Sequence, residues 1–472
     1  MKMSKIIATM GPSIDSEEKI ASLIDKGLNV LRLNFSHATP ESALEIVKML
    51  KKINEEKHTY VAWLADTKGP EIRLHTIKDN KAILKTDDVV EIFMKEIEGT
   101  NKQFSLTYEN LGNEMSPGDK ILIDDGLIEL EVLDSNPNKI TCKVLNSGEI
   151  SSRKGVNIPN KSLNMAYMSE KDKGDIQFAC ANNASYIAAS FVRRKEDVQE
   201  IRDICDVAGR KDINIIAKIE NQEGVDNIDE ILEIADGIMV ARGDLGTEIP
   251  MEDVPVVQKM ICEKCNDIGK PVIIATQMLD SMERNPRPTR AEVGDVARAI
   301  GDGADAVMLS GETAKGEYPI LAVESMAKIV EKSEESMVDY GKIINRFIGN
   351  VAENPYDGIG LSAVELSRKI EGVKGIFCFT TSGETARLIS KYRPQCPIFA
   401  LSHNDQTLYN LALNWGIVGV AKGTYTTLES KYDIVNDKAL EVGLKKGDYV
   451  IITGGHPDGT PMTNFLKLME IQ

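Results

Sequence analysis

Lys218 and Glu220 close the apolar run Ile215-Ile216-Ala217, with Asn221 beside them, and Arg242, Gly243 and Asp244 close a second run, Gly237-Ile238-Met239-Val240-Ala241. Such runs have the composition of buried parallel strands, which would not carry these polar groups unpaired, so the groups are expected to project from the strands' C-terminal ends. A pair of carboxylates alone would read as solvated loop charge. Two carboxylates and a lysine at consecutive strand ends, beside a Gly-rich turn, suit a hard-cation site with a phosphate neighbour: oxygens for the cation, a fixed ammonium for the anion.

The elements that must hold this rim follow from hydrophobic period. Between the two runs, Ile228, Ile231, Leu232, Ile234 and Ala235 fall at helical steps, so residues 213–250 form a βαβ unit. Upstream, strands Lys5 to Thr9, Asn29 to Leu33 and Tyr60 to Leu64 run into Gly11 and Pro12, into Asn34, Ser36 and His37, and into Asp66, Thr67, Lys68 and Gly69. The first intervening helix is boxed by Asp15 and Glu18 and stopped by Gly27. From about His75 to Lys154, short alternating segments and turn signals such as Ser116-Pro117-Gly118-Asp119 describe a small all-β insertion. The α/β rhythm resumes with Ser185 to Ala189, the two central strands, Pro271 to Ala275 and Asp305 to Leu309, the last running into Ser310, Gly311, Glu312 and Thr313. Eight strands alternating with helices, each ending in polar residues, predict a closed (β/α)8 barrel with its site on that rim.

Beyond about Met337 an open α/β unit is expected: strand Lys374 to Thr380, helix Glu384 to Tyr392, strand Pro397 to Leu401, helix Asp405 to Trp415, and strands Tyr449 to Thr453 and Phe465 to Met469. The divisions are therefore 1–70 and 156–338 for the barrel, 71–155 for the insertion and 339–472 for the C-terminal domain. In the last, the turn Thr380-Thr381-Ser382-Gly383-Glu384-Thr385 leads a strand into a helix. It reads either as a phosphate loop, through backbone N–H groups, or as a plain Ser/Thr helix cap, with Glu384 opposing an anion.

Bulk properties bound the function. The 472 residues exceed one ordinary core, and 42% hydrophobic with 27% charged residues is a folded composition. A net charge of −17 argues against nucleic-acid and membrane-surface partners while leaving room for local basic pockets. No apolar run reaches membrane-spanning or signal-peptide length, and seven scattered cysteines suit a reducing compartment, so a cytoplasmic protein is expected. Cys262 and Cys265 form a CxxC inside the helical pattern Val257, Met260, Ile261, Cys265, Ile268 and are read as helix packing.

The assembled rim is Arg32, Asn34, Ser36, Asp66, Thr67, Lys68, Arg73, Lys218, Glu220, Arg242, Asp244, Thr276, Ser310 and Glu312, with His37 its one nearby imidazole. There is no GxxxxGK[ST] loop and no GxGxxG opening a helix after a strand. Such a rim suits phosphoryl transfer by positioned cations, since little covalent work falls to the protein.

The segments NVLRLNFSH, DTKGPEIR, KGVNIP, YIAASFVR, AKIEN, GIMVARGDLGTEIP, ATQML, NPRPTRAEV and AVMLSGETAKGEYP, in this order, resemble the signature set of pyruvate kinase, and FTTSGETARLISKYRP resembles that family's third domain. The resemblance implies a barrel with an inserted small β-barrel, a C-terminal α/β domain, and transfer of phosphate from phosphoenolpyruvate to ADP with release of pyruvate and ATP. It implies Glu220 and Asp244 as Mg²⁺ (or Mn²⁺) ligands, and Lys218 on the transferring phosphoryl group. Arg32 is implied at the phosphates, and Thr276, with the N–H groups of Gly243 and Asp244, at the substrate carboxylate. It implies Asn34, Ser36, Asp66 and Thr67 as K⁺ ligands. Asn34, His37, Arg73 and Lys154 are implied on the nucleotide, and Ser310 and Glu312 in proton relay. Glu71, in the segment GPEIR, goes in the family with K⁺ dependence, and the family is usually a homotetramer.

Some positions depart from the family pattern. Gly294 and Arg298 replace the usual Ser and Asn at the barrel edge. The effector loop around Thr380, Thr381, Ser382, Gly383 and Thr385 carries Glu384, and Gly454 to Thr460 lacks arginine, so activation by fructose 1,6-bisphosphate is not expected; another phosphorylated effector, or none, stays open. The end at Gln472 implies no extra phosphohistidine-type domain. Two rivals remain: a lyase or aldolase using Lys218 as a Schiff-base amine, and a non-catalytic effector-binding scaffold.

Overall fold

The computed structural model describes residues 2–336, 355–421, 428–455 and 463–472. Eight parallel strands, β1 (Lys5–Thr9), β2 (Val30–Asn34), β3 (Ala62–Asp66), β4 (Tyr186–Ala189), β5 (Asn214–Ile219), β6 (Gly237–Ala241), β7 (Val272–Ala275) and β8 (Ala306–Leu309), pair in sequence order and close β8 onto β1. Successive side chains of a strand face opposite ways. Ile6, Leu31, Trp63, Ile187, Ile215, Ile238, Ile274 and Val307 accordingly pack outward under the helices. Ile7, Val30, Leu64, Tyr186, Ile216, Met239, Ile273 and Met308 fill the interior. The same parity carries Thr9, Arg32, Asp66, Ser190, Lys218 and Glu220 inward at the C-terminal mouth, so the barrel's last interior layer is polar.

Between β3 and β4 the insertion forms a seven-stranded sheet with a two-stranded ribbon around its own core. An antiparallel bridge between Leu74 and Leu106 joins the sheet's two edges, with His75 N–H donating to the Ser105 carbonyl at 3.0 Å. The insertion thereby closes as the small barrel expected.

The C-terminal unit is a five-stranded sheet in spatial order Ile417–Ala421, Ile398–Ser402, Val373–Phe379, Tyr449–Gly454 and Phe465–Glu470, the last strand antiparallel. Its segment after helix Asp405–Tyr409 stoppers the barrel floor: Leu413 joins the interior core, and Leu413 N–H donates to the Tyr186 hydroxyl at 3.1 Å.

Several boundaries differ from expectation, each for a physical reason. The first helix is capped by Ser16, whose Oγ accepts from Lys19 N–H, one residue after Asp15. Strand β3 continues to Asp66 and β5 through Lys218, because those charges are paired inside the barrel and need not leave it. The expected helix to Trp415 stops at Tyr409, where the chain turns to enter the floor. Strand Ile417–Ala421 and helices Pro355–Lys369 and Leu428–Glu441 were not foreseen. The change of unit near Met337, with its 338/339 division, and the loop from His456 to Thr460 lie outside the described residues.

All seven cysteines are unpaired and buried, Cys262 and Cys265 within helix Val254–Ile268. Among the described residues no helix is long and apolar enough to cross a membrane.

Candidate active site

Lys218 is the centre of the polar layer. Its Nζ donates to Ser190 Oγ at 2.7 Å, and lies 3.2 Å from Asp66 Oδ1 and 3.0 Å from Glu220 Oε1. Asp66, 1% exposed, also takes the Arg32 Nε at 2.5 Å, while Arg32 Nη1 donates to Thr9 Oγ1 at 3.0 Å. Burial alone would discharge Lys218, but Asp66 and Glu220 outweigh it and hold the ammonium above the ordinary lysine value. For Asp66, burial pushes upward, and Arg32 and Lys218 together bring the carboxyl below its usual range. A lysine held charged in this way is a poor Schiff-base nucleophile, which disfavours the aldolase alternative.

Glu220 is pushed above the carboxylate range by burial, with Lys218 pulling against this and Asp244 adding to it. Buried Glu220 and partly exposed Asp244 repel, and they form a donor pair that a divalent cation would relieve. Among the described residues no group of three or more His, Cys, Asp or Glu converges. A cation here would take two protein carboxylates and fill its shell from substrate and water, as Mg²⁺ does readily. The β2–β3 register places Asn34 opposite Asp66, with Thr67 next along the chain. Asn34 Oδ1 accepts the Ser36 N–H at 3.0 Å, so the four residues expected to hold K⁺ gather at one rim position.

Thr276 sits at φ 69°, a conformation costly for a β-branched residue. Its Oγ1 accepts the Gly243 N–H at 2.7 Å and donates to the Ala275 carbonyl at 2.6 Å. Arg242 Nη1 is held by Asp295 Oδ1 at 2.7 Å, and its Nη2 donates to the Thr276 carbonyl at 2.9 Å. Glu312, 2% exposed, spends one oxygen on Ser310 N–H at 2.7 Å and the other on Leu279 N–H at 3.0 Å. It therefore braces the loops after β7 and β8.

A cleft of about 720 Å³ separates the insertion from the rim, lined by Arg73, Asp125 and Lys154 on one side and Phe191 and Asp244 on the other. Arg73 is paired with Glu71 at 2.9 Å and Lys154 with Asp124 at 2.8 Å, both partly exposed. His37 is exposed on the loop after β2 and does not line this cleft.

The turn from Thr380 to Thr385 follows strand Val373–Phe379 of the C-terminal sheet and leads into helix Glu384–Lys391. Gly383, at φ 89°, donates to Thr380 Oγ1 at 2.9 Å, Thr407 Oγ1 donates to the Thr381 carbonyl at 2.8 Å, and Arg387 Nη2 donates to the Ser382 carbonyl at 3.0 Å. Thr385 Oγ1 lies 2.8 Å from Thr463 Oγ1. Sequence reasoning missed Ser190, although inward parity two residues past Ala188 would have found it.

Comparison with known proteins gives a consistent result. Residues 1–323 match the family model described as pyruvate kinase, barrel domain, and residues 357–469 the one described as pyruvate kinase, alpha/beta domain. The chain is 46% identical to a pyruvate kinase of Staphylococcus epidermidis over 472 residues, 99% of this chain and 80% of the relative. It is 46% identical to one of Bacillus licheniformis over 474 residues, covering 100% and 81%. With one of Staphylococcus aureus (strain MRSA252) the identity is 47% over 472 residues, covering 99% and 80%.

Proposed function

This chain belongs to the pyruvate kinase family and moves the phosphoryl group of phosphoenolpyruvate to ADP, giving pyruvate and ATP, and we propose how its rim divides that work. The family's reaction requires a divalent metal, which we assign as Mg²⁺ (or Mn²⁺) to Glu220 and Asp244. When bound, the metal supplies positive charge against the negative charge developing on phosphoryl and enolate oxygens.

Lys218, fixed by three partners, offers an ammonium that needs no reorganisation at the moment of transfer. Arg32 adds a second fixed cation on the same inner face, and burial of both strengthens their pull on phosphate. A substrate carboxylate would replace Thr276 Oγ1 as acceptor of the Gly243 N–H, leaving the threonine hydroxyl beside it. Arg73 and Lys154 would exchange their partly exposed acids, Glu71 and Asp124, for nucleotide phosphates. Asn34 and His37 complete the nucleotide side. Asn34, Ser36, Asp66 and Thr67 are assigned to K⁺. Glu312 sets the loop that presents Ser310 for proton relay.

The wider setting is a cytoplasmic homotetramer, with divisions at 70/71, 155/156 and 338/339. The turn from Thr380 to Thr385 is proposed as the effector loop; Arg387 beside it supplies a basic group there, while Glu384 works against a doubly charged ligand.

The observation that carries this reading is a charged lysine held inside the barrel between Asp66 and Glu220. Metal dependence tests it. Glu220→Gln keeps the shape and loses the charge, so the Mg²⁺ concentration for half-maximal pyruvate formation rises at least the roughly 10- to 100-fold that even an outer-shell loss costs a metal site. An unchanged Mg²⁺ titration would remove Glu220 from the metal site.

A further inference from the structure

The insertion hangs on two connections, outward through Thr67-Lys68-Gly69-Pro70 and back through residues 158–169. Both meet at Ser190. Its N–H donates to Thr67 Oγ1 at 3.2 Å, and its Oγ lies 2.7 Å from the Thr67 carbonyl, on the outgoing connection. Its carbonyl accepts from the Tyr167 hydroxyl at 3.1 Å, on the returning one. Gly69, at φ +70°, passes so close that a Cβ there would lie 2.8 Å from the Ser190 carbonyl oxygen. Asp172 Oδ1 ties the connections together by accepting from Lys68 and Gly69 N–H, each at 3.1 Å.

On its inner side the same Ser190 Oγ accepts from Lys218 Nζ at 2.7 Å and stands 3.1 Å from Asp66 Oδ1. A hydroxyl carries one proton, so Ser190 donates either to the Thr67 carbonyl or to Asp66. With the insertion seated, the nearer Thr67 carbonyl takes the proton and Asp66 Oδ1 is left to Lys218. Two further bonds seat it: Asn157 Nδ2 to Glu248 Oε1 and Ser162 Oγ to Glu223 Oε2, each 2.8 Å.

We propose that Ser190 is a positioning residue that couples the seating of the inserted domain to the placement of Lys218. This rests on the reading of Lys218 as the cation that meets the phosphoryl group. Rotation of the insertion about its connections moves Thr67 and Tyr167, and through Ser190 it changes which acceptors compete for the ammonium.

The test uses the full chain with fluorophores on Ile83→Cys in the insertion and Val207→Cys on the barrel, both exposed while all native cysteines are buried. Phosphoenolpyruvate with Mg²⁺ and K⁺, without ADP, is expected to shift the energy transfer of the labelled parent. Ser190→Ala is expected to bind phosphoenolpyruvate within about threefold of the parent yet lose most of that shift. Its kcat is expected to fall roughly 10- to 100-fold, the worth of one charge-assisted hydrogen bond. Tyr167→Phe, which leaves Lys218 untouched, also shrinks the shift, and it decides the matter should Ser190→Ala fail to fold. A parent-like shift in the folded variants overturns the coupling, even with kcat reduced, since that would be a purely local effect. Turnover surviving in Lys218→Met would instead overturn the premise about the lysine and leave the shift data standing.

Discussion

Lys218→Met is expected to lower kcat for pyruvate formation by at least about 10²- to 10³-fold, the range seen when one preorganised charge-stabilising donor is removed. The loss should fall on kcat more than on the KM for ADP, because Lys218 lies inside the barrel mouth while Arg73 and Lys154, two of the proposed nucleotide contacts, line the cleft. The same substitution leaves Asp66 and Glu220 buried with one fewer cation, which costs up to roughly 3–5 kcal/mol. Arg32 still pairs with Asp66 and Glu220 can take up a proton, so the observed cost should sit toward the lower end. Urea unfolding beside steady-state kinetics checks both parts. The stability gap to the parent should close in strong alkali: Lys218 is held above its unfolded value, so its contribution is complete below about pH 10 and lost as pH rises through the folded value.

Asp66→Asn is expected to have the next largest effect, about 10²-fold in kcat, because one side chain orients both Arg32 and Lys218 and is a proposed K⁺ ligand. The amide keeps the shape, and its oxygen can still accept from Lys218 Nζ, so the change is one of charge. Here the pH dependence has the opposite sign. Asp66 is held below its unfolded value, so it stabilises above about pH 3.9 and that stabilisation disappears as pH falls through the folded value. Denaturation at pH 7 should show the variant clearly weaker, and the gap should narrow as pH falls below about 3.9. A gap that persists unchanged in acid would mean the side chain acts through packing and not through its charge.

The part of the rim legible in the sequence was the part carried by strand ends. Apolar runs such as Ile215-Ile216-Ala217 announce a buried strand, and the polar residues after them have only the rim to occupy. The reading stopped short at Lys218 and Asp66, placed beyond strands that in fact contain them, because a charge inside a strand looks forbidden until its partners are known. Those partners come from other strands, up to 152 residues away for the Lys218–Asp66 pair, and no local pattern encodes them. Ser190 was passed over. Its importance lies in four hydrogen-bond neighbours drawn from three separate segments. Glu312 shows the reverse: a motif position that looked chemical is occupied by two backbone N–H groups. In the C-terminal unit, Ile417–Ala421 escaped because Gly419 interrupts a short run, and the glycine is needed where Tyr60 packs within 3.2 Å of its Cβ position. The stopper around Leu413 looked like a helix since its apolar residues face a barrel interior instead of a helix groove.

Phosphorus NMR of phosphoenolpyruvate with ADP and Mg²⁺, run once in K⁺ buffer and once in Na⁺ buffer, tests the central claim most directly. The expected result is loss of the phosphoenolpyruvate resonance with growth of the ATP γ-phosphate signal in K⁺, and little conversion in Na⁺. ATP formed equally in both buffers would contradict the cation site at Asn34, Ser36, Asp66 and Thr67. A folded protein that forms no ATP in either would contradict phosphoryl transfer itself.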